Sequence, residues 1–133
     1  MNRPSIGNSF SAGSTAITKG AVRVWREIRH RYPAGGTITN ISDFLALGKV
    51  PAGTPVTFDQ ATKQITALTD TAVKAGGDLV ISGYTQEDAY LDANTTVATA
   101  TVIYDGELYE YMYDAAVLAV LKAKSPAGIV FVQ

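Results

Sequence analysis

A mainly β chain with one short C-terminal helix, an α+β arrangement, is predicted by three observations. Between Ala34 and Asp70, short apolar stretches alternate with breaks rich in glycine, proline and aspartate, the cadence of strands joined by tight turns. Residues 101–113, TVIYDGELYEYMY, place an Asp-Gly pair between two β-branched and aromatic runs. Residues 114–124, DAAVLAVLKAK, are good helix formers, with Asp114 at an N-cap position, Lys122 and Lys124 near the end, and Pro126 beyond as a stop.

Taken in order, residues 1–20 are rich in Ser, Gly, Asn and Thr, with only Ile6, Phe10 and Ile17 as substantial apolar side chains besides Met1. Such a stretch buries too little surface to offset ordering, which predicts a flexible N-terminal arm that either orders on a partner or simply frays. Residues 21–133 are expected to form a single domain. Its first segment, AVRVWREIRHRYP, concentrates Arg23, Arg26, Arg29 and Arg31 around Trp25. Val24, Ile28 and Tyr32 recur at helical spacing, yet Val22 and Val24 flank Arg23 in strand alternation, so helix and strand both fit until Pro33 ends the element.

Strands are then expected over 37–41, 44–50, 55–58 and 64–68. Pro51 and Pro55 bracket Ala-Gly-Thr in a rigid turn and assign the flanking strand to an edge. TAVKAGGDL (71–79) reads as a loop or short helix broken at Gly76-Gly77, and LVISGY (79–84) as a buried strand. An acidic loop with Glu87, Asp88 and Asp92 leads into the strand VATATVIY, and IVFVQ closes the chain as a last strand.

The Asp105-Gly106 pair predicts a two-residue type I′ hairpin turn, since both residues tolerate φ > 0. Paired this way, Ile103, Leu108 and Met112 take the inward face, and Tyr104, Tyr109, Tyr111 and Tyr113 the other. Four of the chain's seven tyrosines thus fall within ten positions. A hairpin with one wet face should alternate apolar and polar residues, and this one does not. Either the chain covers both faces itself or one face meets another molecule.

Charged residues make up 17% of the 133, below the roughly 25% usual for soluble proteins, which suits a subunit of an assembly. A net charge of −1 gives no general attraction to nucleic acid or anionic membrane. The absence of cysteine excludes disulfides, a thiol nucleophile and thiolate metal sites. The N-terminal stretch lacks the apolar run of a signal peptide, and no run approaches about 18 apolar residues, so a soluble protein is expected.

Chemistry is hard to place. The one histidine, His30, sits among arginines, and no Gly-x-Ser-x-Gly elbow occurs. Glu87, Asp88 and Asp92 lack the spacing of a helix-loop-helix calcium loop. Gly35-Gly36 and Gly76-Gly77 lack the frames that cradle phosphate. The arginine cluster with Trp25 and Tyr32 has the residue types that track a nucleic-acid backbone, but the chain is not basic overall; an acidic protein surface or plain solvation fits it equally. The expectation is a non-enzyme without cofactor or metal.

Three stretches, in order, carry a resemblance. KVPAGTPVTFD (49–59), LVISGYTQEDAYLDANTTVATATVIYDGELYE (79–110) and the Gly-Ile-Val-Phe close at 128–131 together resemble the lambda-type bacteriophage head (capsid) decoration proteins and the related head fibre proteins. The likeness runs over about 34–132; the N-terminal quarter, Trp25 and the arginines included, does not align. It implies a compact β-sandwich or β-tulip-like decoration domain with an extended N-terminal arm. It also implies a virion structural protein on the outer surface of the capsid, assembled in the host bacterial cytoplasm and stabilising the expanded shell. The implied partners are the major capsid protein, further copies of itself in a homotrimer, and in the head-fibre branch a fibre or other head protein, with no specific nucleic acid and no membrane. Phe10, Ile17, Arg23, Trp25, Arg26, Tyr104, Tyr109, Tyr111 and Tyr113 are then the candidate subunit or capsid interface. The alternative from another class is a small β-sandwich carbohydrate- or ligand-binding module, with the tyrosines as a sugar platform and the acidic loop holding calcium.

Overall fold

Ten strands are placed among residues 23–133, the part of the chain that the computed structural model describes. The predicted arm, with Phe10 and Ile17, lies outside the described residues. The arginine segment resolves as a strand, β1 (Trp25–Arg31), followed by β2 (Gly36–Ile38), β3 (Lys49–Val50), β4 (Pro55–Asp59) and β5 (Gln64–Ala67). A six-residue helix, α1 (Asp70–Ala75), occupies the stretch where loop and helix both fitted. It is capped by the Thr69 hydroxyl, which accepts from the Ala72 N–H, and it stops at Gly76, where φ is +63°. Then come β6 (Gly83–Thr85), β7 (Ala89–Tyr90), β8 (Thr99–Ala100), β9 (Val102–Tyr109), the predicted helix α2 (Ala115–Lys124) and β10 (Ile129–Val132).

Mainly β character is therefore established. Seven strands run in the order β1-β9-β6-β4-β5-β2-β8 through one curled half-barrel sheet, β10 joins it by pairing with β9, and β3 and β7 form a separate ribbon.

Several local expectations are corrected. Pro55 opens β4, which lies inside the sheet between β6 and β5 and not at an edge. Proline is tolerated there because it is the first residue of its strand, and its carbonyl still accepts from the Leu68 N–H at 2.9 Å. Phe44–Val50 is not a strand apart from its last two residues. Asn40 diverts the chain: its side chain takes both the N–H (2.9 Å) and the C=O (2.7 Å) of Ala67, and a 3-10 turn follows at Ile41–Phe44. Of LVISGY, only Gly83 and Tyr84 lie in a strand, and the Ser82 hydroxyl accepts from the Phe58 N–H at 3.0 Å where a regular ladder bond would otherwise run. Asp114 does occupy the N-cap of α2, but its carboxylate makes no capping bond and sits 3.5 Å from Lys74.

The largest correction is at Asp105-Gly106. There is no turn; β9 passes straight through both residues, antiparallel to β1 along one edge. Its other edge is shared by β6, at Val102 and Ile103, and by β10, parallel, at Gly106–Tyr109. Glycine is required here for proximity: a Cβ at Gly106 would lie 2.6 Å from the Glu27 carbonyl and 3.0 Å from the Trp25 ring.

This placement explains the doubly apolar run. Val102 belongs to a core with Ile38, Phe44, Val56, Phe58 and Ile65, whereas its neighbour Ile103 belongs to a second core with Trp25, Val73, Leu108, Leu121 and Ile129. Ile103 and Leu108, five positions apart, should face opposite ways on a regular strand. They share a core because Tyr104 is an extra residue between the pairs His30↔Asp105 and Arg31↔Ile103, a bulge that reverses the alternation. The inward assignment of Ile103, Leu108 and Met112 stands, since the first two are fully buried and Met112 packs against them.

Candidate interaction surface

The predicted interface residues divide into those the subunit buries and those it presents. Trp25 is 8% exposed, and its indole N–H donates to the Thr85 carbonyl at 3.1 Å. Tyr113 donates its hydroxyl to the Gly53 carbonyl at 2.6 Å and packs edge-on against Phe131 and Tyr84. Burial pushes its phenol pKa well up, as it does for Tyr84, where the hydrogen bond with Ser125 offsets only part of the effect. Tyr104 lies half-buried, its ring 4.6 Å from that of Tyr32 and stacked on His30 at 6.0 Å. These three aromatic residues have most of their contacts within the subunit.

Arg23, Tyr109 and Tyr111 meet on the surface. The two rings stack at 5.3 Å with 28° between their planes, and Tyr111 is 63% exposed. Its hydroxyl donates to the Arg23 carbonyl at 2.6 Å, while the Arg23 guanidinium lies 6.0 Å from the Tyr109 ring centre and donates to the Trp25 carbonyl. The chain delivers them together because Tyr109 ends β9 and a 3-10 turn at Glu110–Met112 folds Tyr111 back beside it. The result is a rigid aromatic pair with a cationic neighbour, chemistry suited to a protein surface or a planar ligand.

Of the remaining arginines of the segment, Arg26 and Arg29 are met by carboxylates, chiefly Asp105 and Glu107, which are remote from them in sequence. Arg26 forms an ion pair with Glu107; Arg29 reaches Asp105 at 2.9 Å, Glu27 at 3.1 Å and Glu107 at 3.4 Å. His30 Nδ1 lies 2.8 Å from Asp105. The hydrogen bonds from His30 and Arg29 hold the Asp105 carboxyl below its usual range, and Arg26 does the same for Glu107. A row of alternating charges results, not a basic stripe, and its solvent exposure makes each pair worth little in stability. Asp105 and Glu107, two apart on one strand, were the available signal; assigning Asp105 to a hairpin tip concealed it.

The acidic loop is occupied by structural work. Asp88 accepts from the Ala52 N–H at 2.7 Å, Lys49 at 3.3 Å and the Tyr90 hydroxyl at 3.3 Å, tying the loop to the Pro51–Pro55 turn. Asp92 closes a turn with the Asn94 N–H and Thr95. Among the described residues no three His, Cys, Asp or Glu side chains cluster as metal ligands, and no helix is long and apolar enough to cross a membrane.

Burial acts to raise the Asp88 pKa, but the Ala52, Lys49 and Tyr90 bonds outweigh it and the net shift is downward. A depressed carboxylate pKa contributes stability above the unfolded value of 3.8 that is lost as pH falls through the lower folded value. Asp88→Asn should therefore cost about 1 kcal/mol at neutral pH in urea unfolding. The gap to the parent should close as pH drops below 3.8, and a gap constant with pH would refute the assignment.

No family model matches the chain, and no curated protein matches it either.

Proposed function

We propose that this chain is a virion structural protein that binds the outer surface of a bacteriophage capsid as a head decoration or head-fibre base protein. In this reading the curled sheet belongs to the sandwich or tulip-like class of decoration domains, and three copies sit together on the shell. The observation that carries the proposal is the ordered likeness of residues 49–59, 79–110 and 128–131 to decoration proteins. The low charge and the exposed Tyr111, stacked on the half-buried Tyr109 beside Arg23, support it. The mechanism is binding: a subunit that recognises a site present only on the expanded shell stabilises that state by mass action. Rigid tyrosines give large contact area at small entropic cost.

The test begins with the reading frame's neighbourhood, which should contain a major capsid protein gene. Shells assembled from that capsid protein should co-sediment with this chain, and light scattering should find a trimer in solution or three copies per shell site. A Tyr109→Ala and Tyr111→Ala double variant should bind shells roughly tenfold or more weakly, as expected when central aromatic anchors are removed. Unchanged binding would remove the aromatic pair from the interface. Failure to bind shells at all, together with stabilisation by a glycan, would replace the proposal with the carbohydrate-binding module.

A further inference from the structure

A recess of about 460 Å³ opens where the β1–β2 turn, the β4–β5 turn, the start of the acidic loop and strand β8 converge. Its floor is backbone. Gly36 pairs with Ala100 and Thr37 with Thr99, the Thr37 N–H donates to the Lys63 carbonyl at 2.9 Å, and the Gln86 N–H donates to the Thr101 carbonyl at 3.0 Å. Glycine keeps this floor low: a Cβ at Gly35 would lie 2.4 Å from the Ala100 carbonyl oxygen, and one at Gly36 would lie 2.6 Å from that of Lys63. The recess is thus formed before any ligand arrives, which reduces the ordering that binding requires. Its volume falls within the roughly 300–1,000 Å³ of small-molecule sites.

Thr37, Lys63, Gln86, Glu87, Thr99 and Thr101 line it with polar side chains. None of the six side chains forms a hydrogen bond or an ion pair among the described residues. Asp88 also borders the recess, but its carboxylate is committed to Ala52, Lys49 and Tyr90. Lys63 is held there with φ at +58°, in the left-handed region that side chains disfavour, and Ala34, at +65°, borders the same recess. They are the only two non-glycine residues with positive φ among the described residues, and such outliers gather at ligand sites.

The lining selects a ligand by what each candidate would leave unpaired. Lys63 only donates, Glu87 only accepts, and the threonine hydroxyls and the Gln86 amide do both. An anion would meet the Glu87 carboxylate. A metal cation would meet the Lys63 ammonium and find no cluster of three ligands. An apolar molecule would strip water from all six groups and return no hydrogen bonds. A neutral compound rich in hydroxyls, each both donor and acceptor, satisfies them all. We infer that this recess binds a neutral saccharide, with Lys63 donating to one ring hydroxyl and Glu87 accepting from another. The recess shares no lining residue with the Arg23, Tyr109 and Tyr111 surface, so the inference does not rest on the virion reading and is distinct from a sugar platform made of tyrosines.

Amide-resolved NMR titration of the isotope-labelled full-length protein with maltose, lactose and N,N′-diacetylchitobiose tests this. At least one sugar should produce saturable shifts centred on Gly35, Thr37, Gln86 and Thr101. Thr101→Val keeps the side-chain shape and removes one hydroxyl, and Lys63→Gly removes the cation at a position whose φ glycine adopts without strain. Each should weaken the binding several-fold, to about tenfold, while the melting temperature stays at the parent value. Tyr109→Ala with Tyr111→Ala should leave it unchanged. Shifts centred on Tyr109 and Tyr111 would move sugar recognition to the aromatic pair and overturn the inference. So would the absence of saturable shifts with all three sugars, or an affinity unaltered in both recess variants. Saturable binding of inorganic phosphate or free glycine in place of the sugars would make the recess an anion or zwitterion site and overturn it equally.

Discussion

Trp25→Ala is expected to lower the free energy of unfolding by about 3–5 kcal/mol, the range for truncating a large buried aromatic residue. The indole lies in the core with Leu108, Ile103 and Ile129 and covers Gly106. The Thr85 carbonyl keeps the Gly53 N–H at 2.8 Å after the indole is gone, so the loss is chiefly one of packing. Trp25→Phe, which retains most of the ring volume, should cost far less. Urea unfolding of both variants checks this. A Trp25→Ala protein as stable as the parent but defective in assembly would return Trp25 to the interface, where the sequence had placed it.

Gly106→Val should be nearly as damaging, at about 3 kcal/mol, the upper range for overpacking an occupied core. The added Cβ would meet the Glu27 carbonyl at 2.6 Å and the Trp25 ring at 3.0 Å, and the two methyl groups would extend further into β1. The disturbance falls on the β1–β9 pairing, so amide exchange should accelerate at Ile28 and in the rest of β9 before it does in β4 and β5. Because the new side chain and Trp25 compete for one space, Gly106→Val and Trp25→Phe should be non-additive. Additive effects would mean that Gly106 lies away from Trp25, as it would at a hairpin tip.

Composition and punctuation made the β-rich class, the helix at 115–124, the closing strand and the strands at 55–59 and 64–67 readable, because each depends on local signals: alternation, an N-cap residue, a stopping proline. Asp105-Gly106 shows the limit. The same dipeptide serves a turn, through φ > 0, or a strand interior, through close approach of a neighbour, and only the position of Trp25 some eighty residues earlier decides between them. Asn40 ended a strand for a similar reason, since the Ala67 backbone it holds is remote in sequence. The candidate surface was legible in part: Arg23, Tyr109 and Tyr111 do converge, whereas Trp25 and Tyr113 are drawn inward by Thr85 and Gly53, partners that no local pattern reveals.

β9 separates two apolar clusters, giving Val102 to one and Ile103 to the other. Neither cluster can be dismantled while the other stays intact, because loosening this one strand removes a boundary from both. The molecule thus gains cooperativity from a shared partition: the half containing α2 and the half containing β4 and β5 are expected to melt in a single transition.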